Sequence, residues 1–140
     1  AAAAAAARAA ADGPFTLTAR ADGVMLGLYD PAEALARLQA FEAVGADVLY
    51  APMLPDAEAL RTLAAQVSKP VNALAAGPFT SLSLADFAAL GVRRVSLGSS
   101  LARVAHAAVL AATETMFSDG DLSGLAAARG GGRIDAFLKD

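Results

Sequence analysis

The sequence predicts an α/β domain built from successive parallel βαβ units, and three observations predict it. Short β-prone runs begin near residues 15, 47, 70 and 93. Stretches with the apolar spacing of amphipathic helices lie between them. Capping residues, prolines and glycines mark each change of pattern. Strand starts separated by 32, 23 and 23 residues leave room for one helix and short loops, which is the rhythm of a sheet with helices packed outside it.

The elements follow in order. Ala1–Ala7, Arg8 and Ala9–Ala11 form a run of the strongest helix former, halted by Asp12-Gly13-Pro14. It reads either as a low-complexity tail or as the end of a helix whose beginning lies upstream, and we expect the helix. Phe15 to Arg20 is the first strand. Asp30 caps the next helix, with Pro31 at its first position and Glu33 at its third. Ala34, Leu35, Leu38, Phe41 and Val44 form its apolar stripe, and Gly45 ends it. Asp47 to Ala51 is the second strand, Pro52 to Pro55 a loop, and Asp56 caps a helix carrying Leu60, Leu63, Ala64 and Val67 on one face. Pro70 to Ala75 is the third strand, followed by a Gly77-Pro78 loop and a helix capped by Ser83 and stopped by Gly91. Arg94 to Gly98 is the fourth strand, and Ser99 or Ser100 caps a buried amphipathic helix reaching about Phe117.

Four βα units make half of a (βα)8 barrel, and the spacing fits a TIM-type barrel or a compact doubly wound sheet. No Gly-x-Gly-x-x-Gly follows the first strand and no Gly-x-x-x-x-Gly-Lys loop occurs, so dinucleotide and P-loop folds lose their usual support. An open four-strand half leaves two strand edges and an inner face uncovered. With a helix cut at its start, the expectation is the C-terminal half of a TIM-type barrel over residues 1–118. Residues 119–140 would form a helical tail: a short helix over Leu122–Ala128, a flexible break at Gly130–Gly132, and an apolar trio of Ile134, Phe137 and Leu138 suited to docking on a neighbouring subunit.

Composition narrows the function classes. A net charge of −3 with 18% charged residues gives no clustered basic surface for nucleic acid. The absence of cysteine excludes disulfides and thiolate metal centres, and a single histidine, His106, excludes a two-histidine zinc site. The 39 alanines inflate the 56% hydrophobic fraction, and no run of about 20 strongly apolar residues marks a membrane span. The start lacks the basic and leucine-rich regions of a signal peptide, so a cytoplasmic location without membrane contact is expected.

In parallel α/β folds the carboxyl ends of the strands carry the active site. Arg20 ends the first strand and offers a planar fork for a carboxylate or phosphate; the alternative is an Arg20–Asp22 ion pair that only shapes the loop. Asn72 lies in an apolar strand, either as a hydrogen bond to a neighbouring strand or as a substrate contact. Gly77-Pro78 and Gly98-Ser99 could cradle phosphate, as in other barrel enzymes, although serine capping explains the second equally well. His106 has the setting of a packed or surface residue. No nucleophile–base pair and no Asp-x-Asp metal motif is evident, so no catalytic residue and no metal ligand is assigned within this chain.

Four segments occur in a familiar order: Phe15-Thr-Leu-Thr-Ala-Arg-Ala-Asp22, Ala36-Arg-Leu-Gln-Ala-Phe-Glu-Ala-Val-Gly-Ala-Asp-Val-Leu-Tyr-Ala-Pro52, Lys69-Pro-Val-Asn72 and Ala89-Leu-Gly-Val-Arg-Arg-Val-Ser-Leu-Gly98. Together they resemble the isocitrate lyase/phosphoenolpyruvate mutase superfamily over about Arg8 to Met116. The resemblance implies a TIM-type barrel in a homo-oligomer that exchanges its last helix between subunits. It also implies Mg²⁺-assisted cleavage or formation of C–C or P–C bonds beside an α-keto carboxylate, through an enolate-like intermediate. Arg20 matches the arginine that holds a substrate carboxylate, and the metal-binding acids belong to the half that precedes these segments. Pro52 stands where lyases of the family place an acid and the phosphonate enzyme a histidine, and Leu74 stands where methylisocitrate-type lyases use asparagine. The expectation is therefore a fragment of such an enzyme, inactive alone. The other readings are a phosphate-binding half of another barrel enzyme and a non-catalytic assembly module.

Overall fold

The computed structural model describes residues 2–127 and 131–139. The chain divides into two compact units, residues 1–98 and 99–140.

The first unit runs α1 (Ala2–Ala10), β1 (Thr18–Arg20), α2 (Pro31–Ala43), β2 (Val48–Tyr50), α3 (Ala57–Ala65), β3 (Val71–Leu74), a 3-10 turn at Gly77–Phe79, α4 (Leu84–Ala89) and β4 (Val92–Ser96). The strands form one sheet in the order β1-β2-β3-β4, and every neighbouring pair is parallel. This is the architecture of half a TIM-type barrel.

The caps act as the sequence indicates. The Asp30 carboxylate accepts from the Glu33 amide at 2.9 Å, and that of Asp56 accepts from the Ala59 amide at 2.8 Å. Ser83 and Asp86 close a reciprocal capping box: Ser83 Oγ accepts from the Asp86 amide at 3.2 Å, and Asp86 Oδ2 accepts from the Ser83 amide at 2.8 Å. Gly45 follows α2 with φ +92°, a left-handed stop that an L side chain would strain. Asp47 ties three segments together, accepting from the Arg8 guanidinium of α1 at 2.6 Å and from the Leu17 amide ahead of β1 at 2.8 Å.

One face of the sheet packs against the helices. Leu49, Val71, Ala73 and Val92 from the strands share a buried cluster with Leu38, Leu60, Leu63 and Phe87 from the helices. Val44, placed on the apolar stripe by its spacing, is instead exposed where α2 has already ended.

The first strand is shorter than expected. It starts at Thr18, because Phe15 is exposed and Leu17 serves as a backbone acceptor for the Asp47 and Val48 amides rather than as a ladder residue. The fourth strand lies earlier than Arg94–Gly98, at Val92–Ser96, since Leu97 is exposed and Gly98 turns with φ +53°.

The second unit holds α5 (Ser100–Asp119), a 3-10 turn at Ser123–Ala127 and α6 (Gly131–Phe137). Ser99 occupies the cap position of α5 without a capping bond; its hydroxyl accepts from Arg103 Nε at 3.1 Å. The helix expected to be buried carries no buried residue. Gly131 and Gly132, expected to form a break, open α6 instead, where first-turn amides need no intrahelical partner and glycine is tolerated. Phe137 and Leu138 are exposed, while Gly130 and the Ile134 side chain lie outside what the structure describes.

Two carboxylates of the first unit make its folding acid-dependent. The Leu17 amide and then Arg8 hold Asp47 below its usual 3.8, and the Ser83 hydroxyl and amide do the same for Asp86. A lowered folded pKa means that the unfolded chain takes up protons first as pH drops. Their stabilisation is therefore complete above 3.8 and lost as pH falls through the lowered values. Urea midpoints measured from pH 6 downward should hold until about pH 5 and then decline. The deficit of an Asp86→Ala variant should be widest at pH 6 and close under acid.

Candidate functional site

The face of the sheet turned away from the helix-packed cluster is where polar residues gather. In a parallel pair, register partners project to the same side. The register aligns Arg20 with Tyr50, Tyr50 with Asn72, and Asn72 with Arg94, so each strand contributes one residue to a single polar row. Thr18 and Val48 pair on the same face, as do Leu74 and Ser96.

Arg20 is the last residue of β1 and half-exposed. Its Nε donates to Asp22 Oδ1, its Nη2 reaches Met25 Sδ at 3.7 Å, and its guanidinium lies over the Tyr50 ring, 5.1 Å from the centroid. The Asp22 ion pair weighed from sequence is thus present. It engages the Nε edge of the fork, while the tyrosine supports one flat side. Among the described residues no carboxylate meets the Nη edge of the fork, which can take one in bidentate fashion.

Asn72 is 1% exposed, and both ends of its amide are engaged. Its Oδ1 accepts from Arg94 Nη1 at 2.8 Å, and its Nδ2 donates to Ser96 Oγ at 3.1 Å; Ser96 Oγ in turn donates to the Ala73 carbonyl at 3.2 Å. Arg20 and Asn72, the two residues singled out from sequence, therefore stand in the same row with Tyr50 between them. Tyr50, Arg94 and Ser96 were missed. The sheet shifts register between Val71 and Asn72, with one extra residue on β4, so Arg94 rather than Arg93 stands beside Asn72. A sequence signal for this exists: Val92 and Val95 both face the core cluster although three positions apart, which period-two alternation forbids without a bulge.

The loop leaving β1 is fixed by Gly23. A Cβ there would sit 1.9 Å from Tyr29 Cε1, and the Tyr29 ring carries the Arg37 guanidinium 4.6 Å from its centroid. Gly23→Ala should force Tyr29 out and destabilise the domain by about 1–3 kcal/mol, the usual cost of overpacking. The same change should shift Asp22 and Arg20, so a thermal melt and an anion titration should both respond.

The other sequence candidates are not drawn into the row. Gly77 and Gly98 adopt positive φ, as turns require, and the Ser99 hydroxyl is occupied by Arg103. His106 lies exposed on α5. Pro52 is buried just past β2. Among the described residues no three His, Asp or Glu side chains come together, and Asp22 is paired with Arg20. The described residues therefore do not make up a magnesium centre by themselves. Among the described residues no helix is long and apolar enough to cross a membrane.

Comparison with known proteins bears on this geometry. Residues 1–117 match the family of phosphoenolpyruvate phosphomutase. A candidate lyase/mutase from Burkholderia cenocepacia J2315 superposes with a TM-score of 0.90 at 42% identity, over 99% of this chain and 50% of that one. A candidate phosphonomutase from the same organism gives 0.63 at 30% identity, over 79% and 45%. Oxaloacetate acetylhydrolase in complex with the product oxalate gives 0.65 at 22% identity, over 77% and 38%, a likeness of fold alone. No curated protein matches. The chain thus spans half or less of the length of these solved structures. With four parallel strands, helices on one face and a match over residues 1–117, the chain belongs to the phosphoenolpyruvate phosphomutase family, within the isocitrate lyase/phosphoenolpyruvate mutase superfamily of lyase- and mutase-type enzymes.

Proposed function

We propose that this chain supplies the carboxylate-gripping half of an active site that makes or breaks C–C or P–C bonds in small α-keto acids. The observation that carries the reading is Arg20: a guanidinium at the carboxyl end of β1, on the face away from the helices, stacked on Tyr50 with donors to spare. A planar carboxylate set against that fork is fixed in position and orientation, which lowers the entropic part of the barrier to reaction at the adjacent carbon. Asp22 and Tyr50 hold the fork still. Buried Asn72, bonded to half-buried Ser96, keeps the neighbouring strands polar beside it.

In this reading magnesium belongs to the enzyme but is not held by this chain, whose described residues do not make up a metal centre. The acids that hold it would come from the preceding half of the barrel. The chain alone should then bind oxo-acids weakly and turn none over. The test is an assay of the 140-residue chain with oxaloacetate and with phosphoenolpyruvate in the presence of Mg²⁺, alone and after co-expression with the N-terminal half of a related barrel. We expect no product from the chain alone and product after reconstitution. Steady turnover by the isolated chain would overturn this division of labour.

A further inference from the structure

We propose that Arg94 is a second anion-recognising residue that sets substrate specificity, and that Asn72 is the positioning residue that aims it. The inference rests on the carboxylate-gripping reading of Arg20 and adds a second charge to it.

Four observations carry it. First, the β4 bulge places Arg94, not Arg93, in the polar row; bulges beside active sites commonly re-aim a side chain in this way. Second, Arg8, Arg20, Arg37 and Arg61 each pair with a carboxylate, whereas among the described residues no carboxylate pairs with Arg93, Arg94 or Arg103, and of these three only Arg94 stands in the polar row. Its partner is the neutral Asn72 amide, so its full charge remains on this face.

Third, the Asn72 amide has one orientation. Ser96 Oγ donates to the Ala73 carbonyl and accepts from Asn72 Nδ2, which leaves Oδ1 to receive the guanidinium. A flipped amide would set NH₂ against the cation. Fourth, the two guanidiniums lie over adjacent strands: Arg20 sits over Tyr50, Arg94 bonds to Asn72, and Tyr50 and Asn72 are register partners. Their strands stand three spacings apart, about 14 Å, and each side chain leans over the strand next to its own, β2 or β3, which draws the two guanidiniums toward one another. Two cations converging in this way suit a short molecule anionic at both ends, a dicarboxylate or a phosphono-carboxylate.

The test compares succinate with butyrate, a singly charged molecule of the same carbon count, by calorimetric or NMR titration of the wild-type chain and three variants. Wild type should prefer succinate. Arg94→Gln should lower succinate affinity about tenfold, the scale of a lost charge-assisted contact, and leave butyrate unchanged. Asn72→Asp retains an acceptor for Arg94 but neutralises it, so it should erase the preference for succinate while the thermal melt stays cooperative; a purely structural role for Asn72 would not move that ratio. Arg20→Gln should weaken both ligands.

An unchanged succinate-to-butyrate ratio in Arg94→Gln, with Arg20→Gln weakening both, would overturn the role of Arg94 and leave the Arg20 reading standing. A lost preference in Arg94→Gln with Arg20→Gln silent would sink the Arg20 reading instead. Failure of the wild-type chain to bind succinate would contradict both.

Discussion

Replacing Arg20 with glutamine in the reconstituted enzyme is expected to lower kcat/KM for an oxo-acid substrate by about 10²–10³-fold, because two charge-assisted hydrogen bonds are lost together. The fold should survive the change. Arg20 is half-exposed, and its ion pair with Asp22 is of the surface kind, worth about 0–1 kcal/mol to stability. Lysine separates charge from geometry: it restores the cation without the planar fork or the flat contact with Tyr50, so Arg20→Lys should fall between wild type and Arg20→Gln. Rates measured for the three proteins, with thermal melts alongside, check the claim. Equal rates for Arg20→Gln and wild type would remove Arg20 from the site.

The second large effect is on stability. Leu49 is fully buried in β2, an interior strand of the sheet, between the register partners Ala19 and Val71 and within the cluster shared with α2 and α3. Truncation to alanine removes three carbons from a site hemmed in by backbone on both sides, where collapse is restricted. Leu49→Ala should therefore cost about 2–5 kcal/mol and lower Tm by roughly 8–20 °C. Leu84, on α4 but exposed, is the control: Leu84→Ala should stay within about 0.5 kcal/mol of wild type. Urea unfolding of the two variants measures the contrast.

The architecture was legible in the sequence because its punctuation is local. Asp30, Asp56 and Ser83 satisfy amides within three residues of themselves, and Gly45 and Gly91 end helices by their own backbone freedom. Chain-neighbour chemistry of this kind needs no knowledge of the fold. Strand ends were less legible, since Phe15 and Leu17 have strand-like side chains but β1 begins only where β2 offers a ladder.

The site was half legible. Asn72 stood out as a polar residue in an apolar strand, and Arg20 as a charge closing one. Arg94 did not, because its place depends on the extra β4 residue that changes which side it faces. Tyr50 was hidden for a different reason: an aromatic in a strand reads as packing, and only the register reveals that it lies beneath Arg20. Of the two serines expected to cap α5, Ser99 does hold the cap position, but its hydroxyl accepts from Arg103 Nε rather than from a helix amide.

A crystal structure of the protein with oxalate decides whether Arg20 grips a carboxylate. One oxalate carboxylate should pair with the outer donors of Arg20, above Tyr50 and on the same side of the sheet as Asn72 and Arg94. Oxalate bound elsewhere while Arg20 stays engaged only with Asp22, or a sheet in which Arg20 and Asn72 project to opposite faces, would contradict it.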